Sequence, residues 1–460
     1  MKISIEKLGV FEKTELDIGD LTILCGENNT GKTYVTYALY GFLRFWSELF
    51  RYPLEDKWLA TLIKTGECTI LKNELIESFN TAWLKACEEY VNRGVLADCF
   101  GGDDGRFKHT VFKVEPPVFE FQPCTLEAVL KDSREIAALG LESTLNSDGN
   151  ILIRLSSLAT EMEDKTQVVT SGFSRLLKTC TYRIQPFIIS AERTGVALFR
   201  GELDFARTKA LDILNDKAKQ SPEEFLYKFI TQFHSDYPRP VQDNVEFARS
   251  LESLSKKKSQ LAHEHPDLLK EFLTILGGTY KVTKIDGVRF LPKNKLPHLL
   301  KNALDMNDSS GAVRSLLQLS FYLHHVAKKN DFLIIDEPEL NLHPASQRLM
   351  ARLLAKLVNV GINIFVTTHS DYFVRELNTL LMLKGEEIYL KTIAKKNGYK
   401  ENELLTLEQI RLYTAKKTTK GYTLEKAKIT SQYGIEAKTF DSTIDEMNKI
   451  QESIIFGGDE

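Results

Sequence analysis

Residues 20–25, Asp-Leu-Thr-Ile-Leu-Cys, form a short β-rich apolar run, and residues 32–46 form an apolar run long enough for a helix. The chain has only residues 26–31 in which to pass from one to the other. Gly26 and Gly31 bound that turn, and the whole reads Gly-x4-Gly-Lys-Thr. In a strand–loop–helix setting this spacing turns backbone N–H groups inward beside a helix N-terminus, which selects phosphate. Gly26, Asn28, Asn29, Thr30 and Gly31 make up the cradle. Lys32 is placed to reach β- and γ-phosphates, and Thr33 offers its hydroxyl to magnesium, so ATP with Mg2+ is the implied ligand.

A second run supplies what such a loop needs. Residues 332–335, Phe-Leu-Ile-Ile, read as a buried parallel strand, and Asp336 and Glu337 follow at its carboxyl end, where ligands sit in open α/β sheets. Asp336 would hold magnesium through water, and Glu337 is the candidate base for the attacking water. A helix with an apolar stripe at Leu349, Leu353, Leu354 and Leu357 leads to another buried run, 362–366, and then to His369. This βαβ unit places His369 to touch the γ-phosphate. Upstream, Ser309, Ser310 and Gly311 open an apolar helix.

Together these residues resemble the ABC-type ATPase head shared by the structural-maintenance-of-chromosomes, RecF and OLD-like ATPases. The resemblance covers roughly residues 1–45, 186–195 and 305–392, and "IIDEPELNLHP" (334–344) is similar to the compact, OLD-like branch. It implies an α/β fold: a P-loop head with a mixed central sheet, a helical arm insertion and a small α/β C-terminal subdomain. It also implies that Asp336-Glu337 is the Walker B element, that residues 339–344 stand at the D-loop, and that His369 is the switch residue. Ser309, Ser310 and Gly311 then correspond to the signature turn, which contacts the ATP of an opposite subunit, so the chain is expected to form a dimer or higher homo-oligomer. Residues 188–195 resemble a short Glu-Arg segment of such proteins, implying a lobe-coupling role for Glu192 and Arg193.

The expected head comprises 1–50, 183–201 and 278–392. A mixed α/β insertion spans 51–182, a helical arm 202–277, and a small subdomain 393–460. In the arm, Ser221 and Glu224 form a capping box, with Phe225, Phe229, Ile230 and Phe233 on one face. Residues 385–393 read as one more strand. Gly101, Gly102, Asp103, Asp104 and Gly105 read as a turn rather than as a metal site on the aspartate pair, and His263 and His265 as a solvated helix end. Lysines at 256–258, 395 and 416 read as solvated faces more readily than as DNA contacts.

A formal charge of −3 over 460 residues advertises neither nucleic acid nor an anionic membrane. No apolar run approaches the ~20 residues that span a bilayer. The scattered cysteines suit a reducing cytoplasm. After His369 no second strand series with terminal acids follows, so no intrinsic nuclease is expected. Stand-alone heads of this size resemble the ATPases of PARIS- and Septu-type phage-defence systems, which implies a slow regulatory ATPase, a separately encoded effector and a phage protein trigger. The alternative is a RecF-type repair or chromosome protein clamped on DNA by ATP.

Overall fold

The computed structural model describes residues 1–52, 54–102, 104–131, 136–160, 165–181, 184–199, 237–283, 287–293, 303–430, 433–435 and 447–454. The chain opens with a hairpin, β1 (Lys2–Leu8) and β2 (Phe11–Asp17), followed by β3 (Leu21–Cys25) and α1 (Lys32–Leu49). Then come α2 (Asp56–Thr65), β4 (Glu67–Ile70), α3 (Lys72–Asn92), β5 (Val111–Val114), β6 (Thr125–Lys131), β7 (Ile136–Leu145), β8 (Ile151–Thr160) and α4 (Lys165–Thr181). The middle holds β9 (Pro186–Ile189), α5 (Arg193–Leu198), α6 (Arg239–Leu254), α7 (Pro266–Leu276) and three short strands, β10 (Gly278–Thr283), β11 (Gly287–Pro292) and β12 (Leu304–Asp305). The last part comprises α8 (Gly311–His325), β13 (Phe332–Asp336), α9 (Pro344–Asn359), β14 (Asn363–Thr368), α10 (Asp371–Met382), α11 (Ile388–Lys396), β15 (Ile410–Thr418) and β16 (Gly421–Lys426).

Nine strands form the central sheet in the order β5-β1-β2-β16-β15-β3-β14-β13-β9. From β15 to β9 all neighbours are parallel, while β5, β1 and β2 pair antiparallel. This is the α/β architecture with a mixed sheet that the sequence implies. The apolar runs of β3 and β13 are buried at every position, because helices cover both faces of the parallel part. The two-residue period of the strands divides their side chains between two cores. Leu24, Ile334 and Phe365 face α1 and α3, whereas Ile23, Leu333, Ile335, Ile364 and Val366 face α8, α9 and α10. A separate four-stranded antiparallel sheet, β4-β8-β7-β6, occupies the first insertion.

Several elements differ from the sequence reading. Residues 385–393 are not a strand: α11 occupies most of that stretch, and Ile388, Tyr389 and Ile393 are exposed. The sheet position beside β3 is taken instead by β15, whose Ile410 and Leu412 are buried. Residues 393–460 therefore contribute β15 and β16 to the central sheet rather than standing wholly apart. Of the arm, Ser221, Glu224 and the four aromatic and aliphatic positions lie outside the described residues. Its described part, α6 and α7, packs on the head, with Leu251 and Phe272 fully buried. Pro266 starts α7, as its lack of an N–H favours. In α9, Leu353, Leu354 and Leu357 are buried, but Leu349 is exposed at the rim of the stripe. Among the described residues no helix is long and apolar enough to cross a membrane.

Candidate active site

The parallel strands deliver the site. β3 ends at Cys25, and Gly26 (φ 150°) and Gly31 (φ 90°) shape the loop that follows. At Gly31 glycine is obligatory, because a Cβ would lie 2.5 Å from the Val10 side chain and 2.6 Å from the Phe11 ring. Asn28 and Asn29 are exposed, with Asn29 itself in the left-handed region (φ 61°). Thr30 is buried and donates to the Glu27 carbonyl at 2.9 Å. Lys32 opens α1, and its ammonium donates to the carbonyls of Gly26 (3.0 Å) and Glu27 (2.8 Å). Burial pulls that ammonium below its ordinary pKa, against the carboxylates of Glu337 and Asp336. The side chain is thus held within its own loop. Thr33 stays exposed at the first turn of the helix.

Facing the loop, β13 ends in Asp336, which is buried and accepts the Thr367 hydroxyl. Burial pushes its carboxyl up to about 6 in spite of that bond. Glu337 follows with φ 52°, a left-handed conformation that costs a glutamate about 1 kcal/mol. Its N–H donates to the Thr367 carbonyl at 3.1 Å, and its Oε1 lies 3.4 Å from His369 Nε2. The His369 ring beside it holds the Glu337 carboxyl below the usual range.

Arg193 explains how Glu337 is kept in that conformation. Its guanidinium is buried and donates to the carbonyls of Ser190 (3.0 Å), Ser315 (3.1 Å), Asp336 (2.6 Å) and Glu337 (2.5 Å). One side chain therefore joins β9, α8 and the end of β13. Glu192 instead accepts the Tyr37 hydroxyl of α1 at 3.2 Å.

A cavity of about 540 Å3 is lined by Val10, residues 28–34, Asp336, Glu337 and His369. It brings together Lys32, Thr33, Asp336, Glu337 and His369 from three separate parts of the chain. Ser309, Ser310 and Gly311 do not line it. Ser310 caps α8 by accepting from the Val313 N–H, Ser309 donates to the Asp305 carbonyl at 2.7 Å, and Gly311 abuts Asn341. Two residues had no role of their own in the sequence reading. Thr367 orients Asp336, and Glu339, the third acid after β13, holds the turn around His369. The run of three acids within four residues was the available signal for Glu339.

The donors suit magnesium. Thr33 and Asp336 present hard oxygens, and Mg2+ is ordinarily held by one or two protein oxygens together with substrate phosphates and water. Among the described residues no group of three metal-ligating side chains forms a site by itself.

The family model described as "AAA ATPase domain" matches residues 1–88 and 205–374. No curated protein matches. Among solved structures, an SMC head bound to the C-terminal winged-helix domain of ScpA is 11% identical, with 92% of this chain and 96% of that chain covered and a TM-score of 0.34. An Smc head with an extended coiled coil, bound to the C-terminal domain of ScpA from Pyrococcus furiosus, is also 11% identical, covering 98% of each chain with a TM-score of 0.33. The SMC head domain from Thermotoga maritima is 10% identical, covering 93% and 98%, with a TM-score of 0.29. At scores this low the fold assignment rests on strand order and loop geometry.

Proposed function

The chain belongs to the AAA ATPase domain family, and from that premise we propose a regulatory ATPase of bacterial phage defence, cytoplasmic and oligomeric, that governs a separate nuclease effector. The observation that carries the ATPase reading is the meeting of Lys32, Thr33, Asp336, Glu337 and His369 around one cavity. In this reading the loop N–H groups and Lys32 hold the β- and γ-phosphates, and Lys32 exchanges its two carbonyl acceptors for phosphate oxygens. Thr33 and Asp336 hold magnesium, which supplies charge neutralisation on those oxygens. Glu337 takes the proton from the attacking water as its oxygen bonds to the γ-phosphorus and the bond to the ADP oxygen breaks. His369 steadies the Glu337 carboxylate and faces the γ-phosphate.

Ser309, Ser310 and Gly311 lie at the start of α8, outside their own chain's cavity, which supports a role toward the ATP of a second copy. ATP then closes two heads through contacts that ADP does not offer, and hydrolysis releases them. The defence role is supported by the sequence resemblance of residues 334–344 to the compact OLD-like branch. The test is a tagged pull-down of the Glu337→Gln form with ATP, co-expressed with its neighbouring genes, reading complex mass and composition. A stoichiometric effector bearing nuclease activity supports the proposal. A bare dimer that retains duplex DNA in an ATP-dependent, salt-sensitive manner overturns it in favour of a DNA clamp. Glu337→Gln should also lose at least about 100-fold in phosphate release while still binding ATP; hydrolysis at the parental rate refutes its role as the base.

A further inference from the structure

We infer that Glu339 is a positioning residue for the reaction, fixing the turn that aims His369 at Glu337. The inference rests on the ATPase reading above and extends it to a residue that does not line the cavity.

Glu339 is only 9% exposed, although it follows two other carboxylates within four residues. Its Oε1 accepts the Thr368 hydroxyl at 2.7 Å and the His369 backbone N–H at 2.8 Å. The Thr368 oxygen in turn accepts the Ser370 N–H at 3.0 Å. A single carboxylate oxygen thereby ties down three consecutive residues centred on His369. The other oxygen, Oε2, is enclosed with no hydrogen-bond partner among the described residues. Burying a carboxylate with one oxygen unsatisfied is costly, and such a group is retained where it serves more than packing. Burial accordingly raises the Glu339 carboxyl, against the bonds it accepts.

The arrangement bears directly on the chemistry. Thr367, one position before the tied segment, already orients Asp336 through its hydroxyl and Glu337 through its carbonyl. Glu339 extends the same control to the next two residues, and so sets where the His369 ring leaves the backbone. Gln347 adds a second tie, since the Ser370 hydroxyl donates to its Oε1 at 2.5 Å and its amide donates to the Leu342 carbonyl at 2.9 Å. The segment that follows the Glu337 carboxylate is thus bonded to the segment that bears His369. The His369 ring lies 3.4 Å from Glu337, and its backbone N–H is bonded to Glu339.

The test is a kinetic cycle on the full chain, with ATP binding measured in parallel by nucleotide fluorescence. Glu339→Ala should lower kcat roughly 10- to 100-fold, with KM for ATP changed by less than about twofold, as misplacement of a reacting group predicts. Glu339→Gln keeps an acceptor for Thr368 and His369 and should restore kcat to within about threefold. In a His369→Ala background, Glu339→Ala should cost less than about twofold more, because the two losses are one. Thr368→Val, which removes only the hydroxyl, should give a smaller loss of the same kind and serves if Glu339→Ala does not fold. Equal losses in both backgrounds, or loss in Glu339→Gln as large as in Glu339→Ala, would overturn the inference. Parental kcat in Glu339→Ala or in Thr368→Val would overturn it while leaving the ATPase reading intact. Parental kcat in both His369→Ala and Glu337→Gln would overturn the inference together with that reading.

Discussion

Replacing Arg193 by methionine tests whether the Asp336–Glu337 end of β13 is held through its backbone carbonyls rather than by its own sequence. The guanidinium makes four hydrogen bonds to carbonyls on three elements. Charge-assisted bonds contribute roughly 1.5 kcal/mol each at the low end, or about 6 kcal/mol together. Holding the cation in the interior works against them, since burial lowers its pKa from the ordinary arginine value to about 10. That shift corresponds to roughly 3 kcal/mol. The net loss expected for Arg193→Met is therefore about 3 kcal/mol, in line with the cost of removing one partner from a buried charged network. Equilibrium unfolding in urea, followed by tryptophan fluorescence, should show the midpoint falling with little change in slope. Phosphate release should fall as well, because the Glu337 backbone loses the bond that keeps it at positive φ. Arg193→Lys should recover only part of either property, since an ammonium cannot span four acceptors in the plane of a guanidinium. A methionine variant within about 0.5 kcal/mol of the parent, with parental kcat, would refute the reasoning.

Lys32→Ala should abolish measurable ATP binding in calorimetry, and unchanged affinity would remove the phosphate role from the 26–33 loop. Gly31→Ala should destabilise on the order of 2 kcal/mol or more, because its Cβ meets Val10 and Phe11 and its φ is positive; a thermal midpoint equal to the parent's would contradict the described loop. Burial raises the Glu271 carboxyl, but the ammonium groups of Lys356 and Lys400 outweigh it and hold the carboxyl below its ordinary range. A depressed carboxylate contributes stability that is present above its unfolded pKa of about 4.5 and is lost as pH falls through the folded value. Glu271→Gln should thus be less stable than the parent at pH 7 and approach it in acid below pH ~4; a pH-independent difference in urea midpoint would refute the coupling.

Local patterns were the legible part of this molecule. The glycine spacing at 26 and 31, the unbroken apolar runs of β3 and β13, and the helix between β13 and β14 all follow from neighbours in the chain, and they located Lys32, Asp336, Glu337 and His369. What escaped was decided by distant partners. Residues 385–393 carry apolar side chains that suit a strand, yet the site beside β3 is filled by residues 410–414. Nothing within either stretch says which one reaches it. Arg193 was legible only through the resemblance of its Glu-Arg segment, because its acceptors are main-chain carbonyls, which carry no side-chain signature. Glu339 stood in the D-loop stretch with no role of its own, because the partners of its carboxylate, the Thr368 hydroxyl and the His369 N–H, lie 29 and 30 residues further along the chain.

The place of β15 also governs when the molecule can become itself. β3 hydrogen-bonds to β14 on one side and to β15 on the other, so Leu21 pairs with both Ile364 and Ile410. At a translation speed of about 5–20 residues per second, β3 emerges from the ribosome roughly 20 to 80 s before its second partner. Throughout that interval the strand that carries the glycine loop has an unsatisfied edge, in a topology whose long-range closure makes folding slow. The nascent chain therefore cannot complete the loop's support until residues 410–414 have been made, and that wait is when a holding chaperone would matter most.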